Sequence, residues 1–308
     1  MMPRTVWLGI ALFALAACRE PANAAPASPT DMQGSKVPQT LDIARHFNGP
    51  ELALARAAAA GESDTVRRLV REEHADPNAI SPGGLPLVAW PVLQDNVEGV
   101  VALLDNGADA NRAAPGTGHT IVWAAKAPDP RLLQAFLDHD GNVDTVNADQ
   151  EPLTMVAALA GQWDNVKLLV ERGADVNATA HGMAGDTLLG HYSAGQFDKA
   201  EWLLEHGADP SWRMEQAIDG KRIGAQPIIE NIYWWPVKEA RFPELARAQR
   251  RCQDLVAARG HAAPAEPAHL ARLRASQAGT TAGDVPPRDL EGDIHDREAA
   301  LKGKLGEH

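Results

Sequence analysis

His74-Ala75-Asp76-Pro77-Asn78, Gly107-Ala108-Asp109-Ala110-Asn111, Asp140-Gly141-Asn142-Val143-Asp144, Gly173-Ala174-Asp175-Val176-Asn177 and Gly207-Ala208-Asp209-Pro210-Ser211 are variants of one pentapeptide, written five times. Asn78, Asn111, Asp144 and Asn177 recur every 33 residues, and Ser211 follows after 34. Self-similarity at a fixed period of this size marks a stack of supersecondary units, none of which can bury its apolar face alone.

The columns between these markers say what each unit contains. Val100, Leu133, Val166 and Ala200 form one column, Leu103, Phe136, Leu169 and Leu203 a second, and Leu104, Leu137, Val170 and Leu204 a third. Offsets of 0, +3 and +4 place them on one face of a helix. Before each such helix stands another rich in small residues, Ala124 with Ala125 and Ala157 with Ala158, which permits close stacking. The core therefore runs continuously along a solenoid. Gly107, Gly173 and Gly207 fall where the second helix ends, and a left-handed residue costs glycine little. His74 and Asp140 occupy that slot in the first and third units and are expected to carry strain of about 1 kcal/mol each.

This periodic set resembles the ankyrin repeat over residues 49–211. The resemblance implies an all-α fold, a solenoid of helix-turn-helix units joined by short hairpin turns. The family's T-P-L-H opening is reduced to Leu85-Pro86-Leu87-Val88, Thr120-Ile121-Val122-Trp123, Glu151-Pro152-Leu153-Thr154 and Thr187-Leu188-Leu189, none of which keeps the histidine. By spacing, the first helix of the second and fourth units is about one residue too long, to be absorbed by a bulge or kink.

Residues 1–17 read as a leader. A basic start precedes an apolar run over 6–14, too short to span a bilayer, and Leu15-Ala16-Ala17-Cys18 closes it. The ending resembles a bacterial lipobox, which implies cleavage before Cys18, acylation of that residue, and anchoring through several acyl chains. The alternative is an ordinary signal peptide with an incidental cysteine. Arg19 in place of aspartate implies, by the same resemblance, the outer membrane, with the chain facing the periplasm. Residues 18–48 then form a tether rich in Ala, Pro, Ser and Thr.

Beyond Ser211 the period breaks, but Gln226-Pro227-Ile228-Ile229 opens another inner helix and 243–260 reads as another outer one. Residues 212–260 are expected to form a divergent capping repeat with an insertion, closing the core with Tyr233, Trp234 and Trp235. An aromatic ligand box is the competing reading. Residues 261–308 return to Ala, Pro, Gly and mixed charge, the composition of a disordered or weakly helical tail.

Chemistry-bearing constellations dissolve on inspection. Ser193 lacks the glycine two residues earlier that a nucleophile elbow needs, and His191 stands there instead. No two of the eleven histidines stand at i and i+4 around a carboxylate. No cofactor or metal is expected. Cys252 is the one cysteine besides Cys18 and is expected to be a buried, inert thiol. The net charge of −12 argues against nucleic acid. His139 and His206 fall near equivalent helix ends, where partial positive charge is favoured.

What remains is a surface. The ankyrin resemblance implies that hairpin tips and inner helices line a concave face that grips another protein. By register the hairpins contribute Thr117, His119, Gln150, Glu151, Met183 and Asp186, and the inner helices Gln94, Lys126, Leu159 and Ser193. Three functional readings are compatible with this. The chain resembles immunity lipoproteins that bind and neutralise a lipase-type toxin delivered into the periplasm by a type VI secretion system. It is also compatible with an envelope scaffold linked to stress, or with an enzyme whose catalytic groups lie in 212–260.

Overall fold

The computed structural model describes residues 42–114, 118–180, 187–213, 225–268 and 270–272. The expected leader, Cys18 and most of the tether, the hairpin residues Thr117, Met183 and Asp186, residues 214–224 of the insertion, and the tail beyond 272 lie outside the described residues. A short 3-10 turn, Ile43–Arg45, belongs to an N-terminal unit that ends at Arg45. The unit beginning at His46 is built from helix pairs.

Five pairs follow the sequence period: α1 (Gly49–Ala59) with α2 (Ser63–Arg71), α3 (Ala89–Leu93) with α4 (Val97–Asp105), α5 (Thr120–Lys126) with α6 (Pro130–Asp138), α7 (Leu153–Leu159) with α8 (Trp163–Glu171), and α9 (Leu188–Tyr192) with α10 (Phe197–Glu205). The second helix of each is nine residues long. A sixth pair, α11 (Pro227–Trp234) and α12 (Pro243–Ala258), completes the array. Each first helix packs on the next, α1 on α3 through to α9 on α11. Between pairs lie hairpins, seen as the antiparallel strands β1 (Ala113–Ala114) and β2 (Gly118–His119) and as the bridges Ile80 with Pro86 and Val146 with Pro152. Among the described residues no helix is long and apolar enough to cross a membrane.

Two of the expected columns are wholly buried. Val100, Leu133, Val166 and Ala200, and Leu103, Phe136, Leu169 and Leu203, all show 0% exposure. The third column departs from expectation. Leu104 and Leu204 are buried, but Leu137 and Val170 are only half-buried. In those two repeats the apolar stripe is rotated backwards by one residue, so that Leu132 and Asn165 are buried in its place. Asn165 is tolerated there because its amide donates to the carbonyls of Ala125 at 3.0 Å and Ala127 at 2.9 Å, at the end of the preceding inner helix. The inner helix of the second unit is not extended either. It is only five residues long and contains Pro91, which has no N–H to continue a helical ladder.

The marker pentapeptides weld neighbouring repeats. In each, a side-chain oxygen at the third position accepts the N–H of the fifth, as in Asn78 to Asp76 at 2.9 Å and Asn177 to Asp175 at 2.8 Å. The fifth residue, when it is asparagine, then reaches across. Asn78 donates to the Gly107 carbonyl at 2.8 Å and accepts from Asp109 N–H at 2.7 Å. Asn111 does the same with Asp140 and Asn142 at 2.8 and 2.7 Å, and Asn177 with Gly207 and Asp209 at 3.2 and 2.8 Å. The side chain of Asp144 has no N–H to donate, so the ladder is interrupted between the third and fourth repeats. The joint is held instead by the Asn165 amide and by an ion pair from Arg172 to Asp138 at 2.7 Å. Beneath the ladder, His74 and Asp140 adopt φ of 56° and 61°, beside 96°, 95° and 93° at Gly107, Gly173 and Gly207, which is the expected left-handed slot.

The sixth pair closes the core. Cys252 is fully buried against the Phe197 carbonyl, and burial pushes its thiol up to about 12, so it is no nucleophile. Gln249 donates to the carbonyls of Ile232 at 3.1 Å and Trp235 at 2.9 Å, joining the two helices of the pair. Arg251 pairs with Glu201 of α10. Trp235 packs against Gly195, where a Cβ would come within 2.9 Å of the indole Nε1. Helix α12 ends two residues before Gly260, which takes φ 85°.

If the asparagine ladder sets repeat coupling, Asp144→Asn restores its missing rung and raises unfolding free energy by about 1 kcal/mol. Asn111→Asp removes a rung and lowers it by roughly 1–2 kcal/mol. Urea denaturation of the two variants checks this, and unchanged midpoints in both would remove the ladder from the account.

Candidate protein-binding surface

The hairpin tips are held rigidly by their own side chains. Asn147 accepts from the N–H groups of Asp149 and Glu151, both at 2.9 Å, and its amide donates to the Glu151 carboxylate at 2.7 Å. Gln150 stands exposed at the turn with φ 64°. His119 precedes α5 and bonds through Nδ1 to the Asn111 carbonyl at 3.0 Å. The tips thus present Gln150 fully and His119 and Glu151 in part.

At the other end of the inner helices the exposed residues form a row. Leu93, Lys126 and Leu159 are the last residues of α3, α5 and α7, one period apart. Everything before them in α3 and α7 is buried, whereas Leu93 is 44% and Leu159 57% exposed. Val92, Leu93, Asp95, Trp123, Lys126 and Ala127 line an open depression of about 280 Å³ between α3 and α5. Gln94 is exposed beside it, and Asp95 holds φ 50°.

The expected surface therefore divides in two. His119, Gln150 and Glu151 belong to the tips, while Gln94, Lys126 and Leu159 lie a helix length away, about 10 Å for the seven residues of α5. Ser193 belongs to neither strip. It is fully buried, donating to the Gly190 carbonyl at 3.0 Å and accepting from Asn231 of α11 at 3.3 Å. The sixth helix pair packs over that position, which the open period of the sequence did not register. Sequence reasoning also passed over Leu93 and Asp95, although Leu93 stands 33 residues before Lys126.

The outer helix ends carry their own electrostatics. His139 and His206 cap α6 and α10, and each bonds through Nδ1 to the carbonyl four residues back, at 2.8 and 2.7 Å. His139 Nε2 also donates to Asp105 of the neighbouring repeat at 3.0 Å. Both of its partners are acceptors, which favours the protonated ring. Burial pulls its pKa down, but Asp105, the Ala135 carbonyl and the charge of Asp138 outweigh this and raise it above the usual 6.5. A raised folded pKa gives stability that is fully present below the unfolded value and lost as pH rises through the folded one. The difference in unfolding free energy between the parent chain and His139→Gln is expected to be largest near pH 5 and to shrink above neutrality, as read from urea titrations across pH.

Residues 121–213, from α5 through α10, match the family model described as ankyrin repeats, in three copies. Protein PhlB of Serratia liquefaciens is 29% identical over 145 residues, covering 46% of this chain and 62% of PhlB, less than two thirds of its length. The crystal structure of the ankyrin repeat domain of Bcl-3 superposes with a TM-score of 0.48 at 19% identity, covering 67% of this chain and 87% of that one. The stacked helix pairs described above and the family match over residues 121–213 make the fold an all-α ankyrin-repeat solenoid, a scaffold that typically binds other proteins.

Proposed function

We propose that this chain is a binding module with no chemistry of its own, an immunity lipoprotein of the bacterial envelope that grips and neutralises a lipase-type toxin delivered into the periplasm. One observation carries the binding part. The solenoid buries two of its three apolar columns completely yet leaves two leucines, Leu93 and Leu159, exposed at the same position of two repeats, on either side of Lys126. Aligned apolar exposure beside a polar rim is the signature of an interaction surface. The lattice of buried helices beneath it is rigid, so little conformational entropy is lost on binding. The envelope part is supported by the leader of residues 1–17 and the lipobox-like Leu15-Ala16-Ala17-Cys18. The immunity part is supported by resemblance in address, length and divergent repeats.

Crosslinking and capture from the native envelope tests this, comparing the parent chain with Lys126→Glu and Lys167→Glu. Glu151 and Glu201 are poor choices for charge reversal, since one braces its hairpin and the other pairs with Arg251 of the cap. Lys167 lies on the outer helix and pairs locally with Asp164 at 2.8 Å. Lys126→Glu is expected to abolish capture, because like charges juxtaposed in an interface cost several kcal/mol, on the order of a hundredfold or more in affinity. Lys167→Glu is expected to leave it intact. The converse pattern would move the binding surface to the outer helices. Capture of a resident envelope component in place of a toxin would make the protein a scaffold. In the same strains Cys18→Ser is expected to leave the membrane fraction or accumulate as precursor, and normally processed, membrane-bound Cys18→Ser would end the lipoprotein assignment.

A further inference from the structure

Inner helices α3, α5 and α7 end on side chains that stand clear of the array, in the order apolar, cationic, apolar: Leu93, Lys126, Leu159. The row stops there. Ala59 ends α1 with a side chain too short to project, and Tyr192 ends α9 buried to 1% under Trp163. Lys126 is exposed and makes no ion pair among the described residues, in a chain whose net charge is −12. Trp123 and Val92 line the depression together with Leu93 and Lys126.

We propose that this row is the dock for a single amphipathic α-helix of the partner, laid across α3, α5 and α7. It presents an apolar side chain at Leu93, a carboxylate seven residues further on at Lys126, and a second apolar side chain after another seven at Leu159. The proposal rests on the protein-binding reading above and adds the chemistry of the partner. Spacing selects the occupant. Packed helices stack roughly 8–10 Å apart, and seven residues of α-helix advance about 10.5 Å while returning to nearly the same face. An extended strand covers the same distance in about three residues, which turns successive anchors to opposite faces. Charge selects the middle contact, because an exposed lysine between two apolar sites gains only from an anion.

Asp95 sharpens the register. Its counterparts at the turns between inner and outer helices are Gly61, Gly161 and Gly195, with φ of 70°, 75° and 96°, whereas Asp95 holds φ 50° with a side chain attached. Aspartate is among the few non-glycine residues that take this conformation at modest cost, and here it adds a carboxylate where the other turns have none. On the rim of the depression its carboxylate repels an acidic group that strays from Lys126 toward Leu93, so the partner helix is disfavoured one turn out of place.

The test uses the full chain and synthetic helical peptides bearing leucine at i and i+14 and either glutamate or lysine at i+7, titrated by calorimetry. The parent chain is expected to bind the glutamate peptide at least about tenfold more tightly than the lysine peptide, Lys126→Glu to reverse that preference, and Leu159→Ala to weaken both. Failure of every pairing, or equal affinity for the two peptides, overturns the helix dock. If the peptides fail but Lys126→Glu still abolishes envelope capture, the dock falls and the protein-binding surface stands. If capture is also indifferent to Lys126, both fall.

Discussion

No helix pair in this chain can hide its own apolar stripe, and everything else in the structure follows from that. Each of the first five outer helices is nine residues long and carries only a handful of apolar side chains, too few for an isolated core. Stacking supplies the missing cover, and the residues of the two main columns reach 0% exposure because each is enclosed by the repeat before and the repeat after. The same logic requires the last repeat to differ. Helix α12, at sixteen residues, spans more of the exposed end than any outer helix before it, and its Cys252 and Val256 are fully buried.

Stacking by apolar area fixes neither angle nor register, and polar groups do that. The asparagine at the fifth marker position ties a carbonyl and an N–H of the next repeat at once, a contact that a one-residue slip would break. Where the sequence offers Asp144 instead, Asn165 and the Arg172–Asp138 pair take over the joint. Gly99 adds a different constraint between the first and second repeats, because a Cβ there would sit 1.9 Å from the Ala58 carbonyl oxygen. The rigidity that results is what makes the exposed inner-helix ends useful, since they are offered to a partner already in position.

The repeat, its helix pairs and the burial of the two main columns were legible in the sequence because period and helical spacing are direct consequences of the packing they encode. The left-handed slots at His74 and Asp140 were legible for the same reason, as places where glycine is otherwise used. The half-exposed Leu137 and Val170 were not, since a rotation of the stripe by one residue depends on what the neighbouring repeat offers, here the carbonyls that Asn165 reaches. Ser193 was misplaced because its burial is decided by α11, beyond the point where the period breaks. The surface was legible only in part. Register identifies equivalent positions, but which of them emerge depends on helix lengths that Pro91 and the turns set locally.

The central claim, that stability resides in columns closed by both neighbours, is tested most directly by comparing Leu169→Ala with Val170→Ala in thermal and urea unfolding. These adjacent residues of α8 differ in that Leu169 is fully buried between repeats and Val170 is half-buried. The account predicts a loss of roughly 2–5 kcal/mol for Leu169→Ala and under about 1.5 kcal/mol for Val170→Ala. Equal losses, or a larger one at Val170, would contradict the column packing on which the solenoid depends.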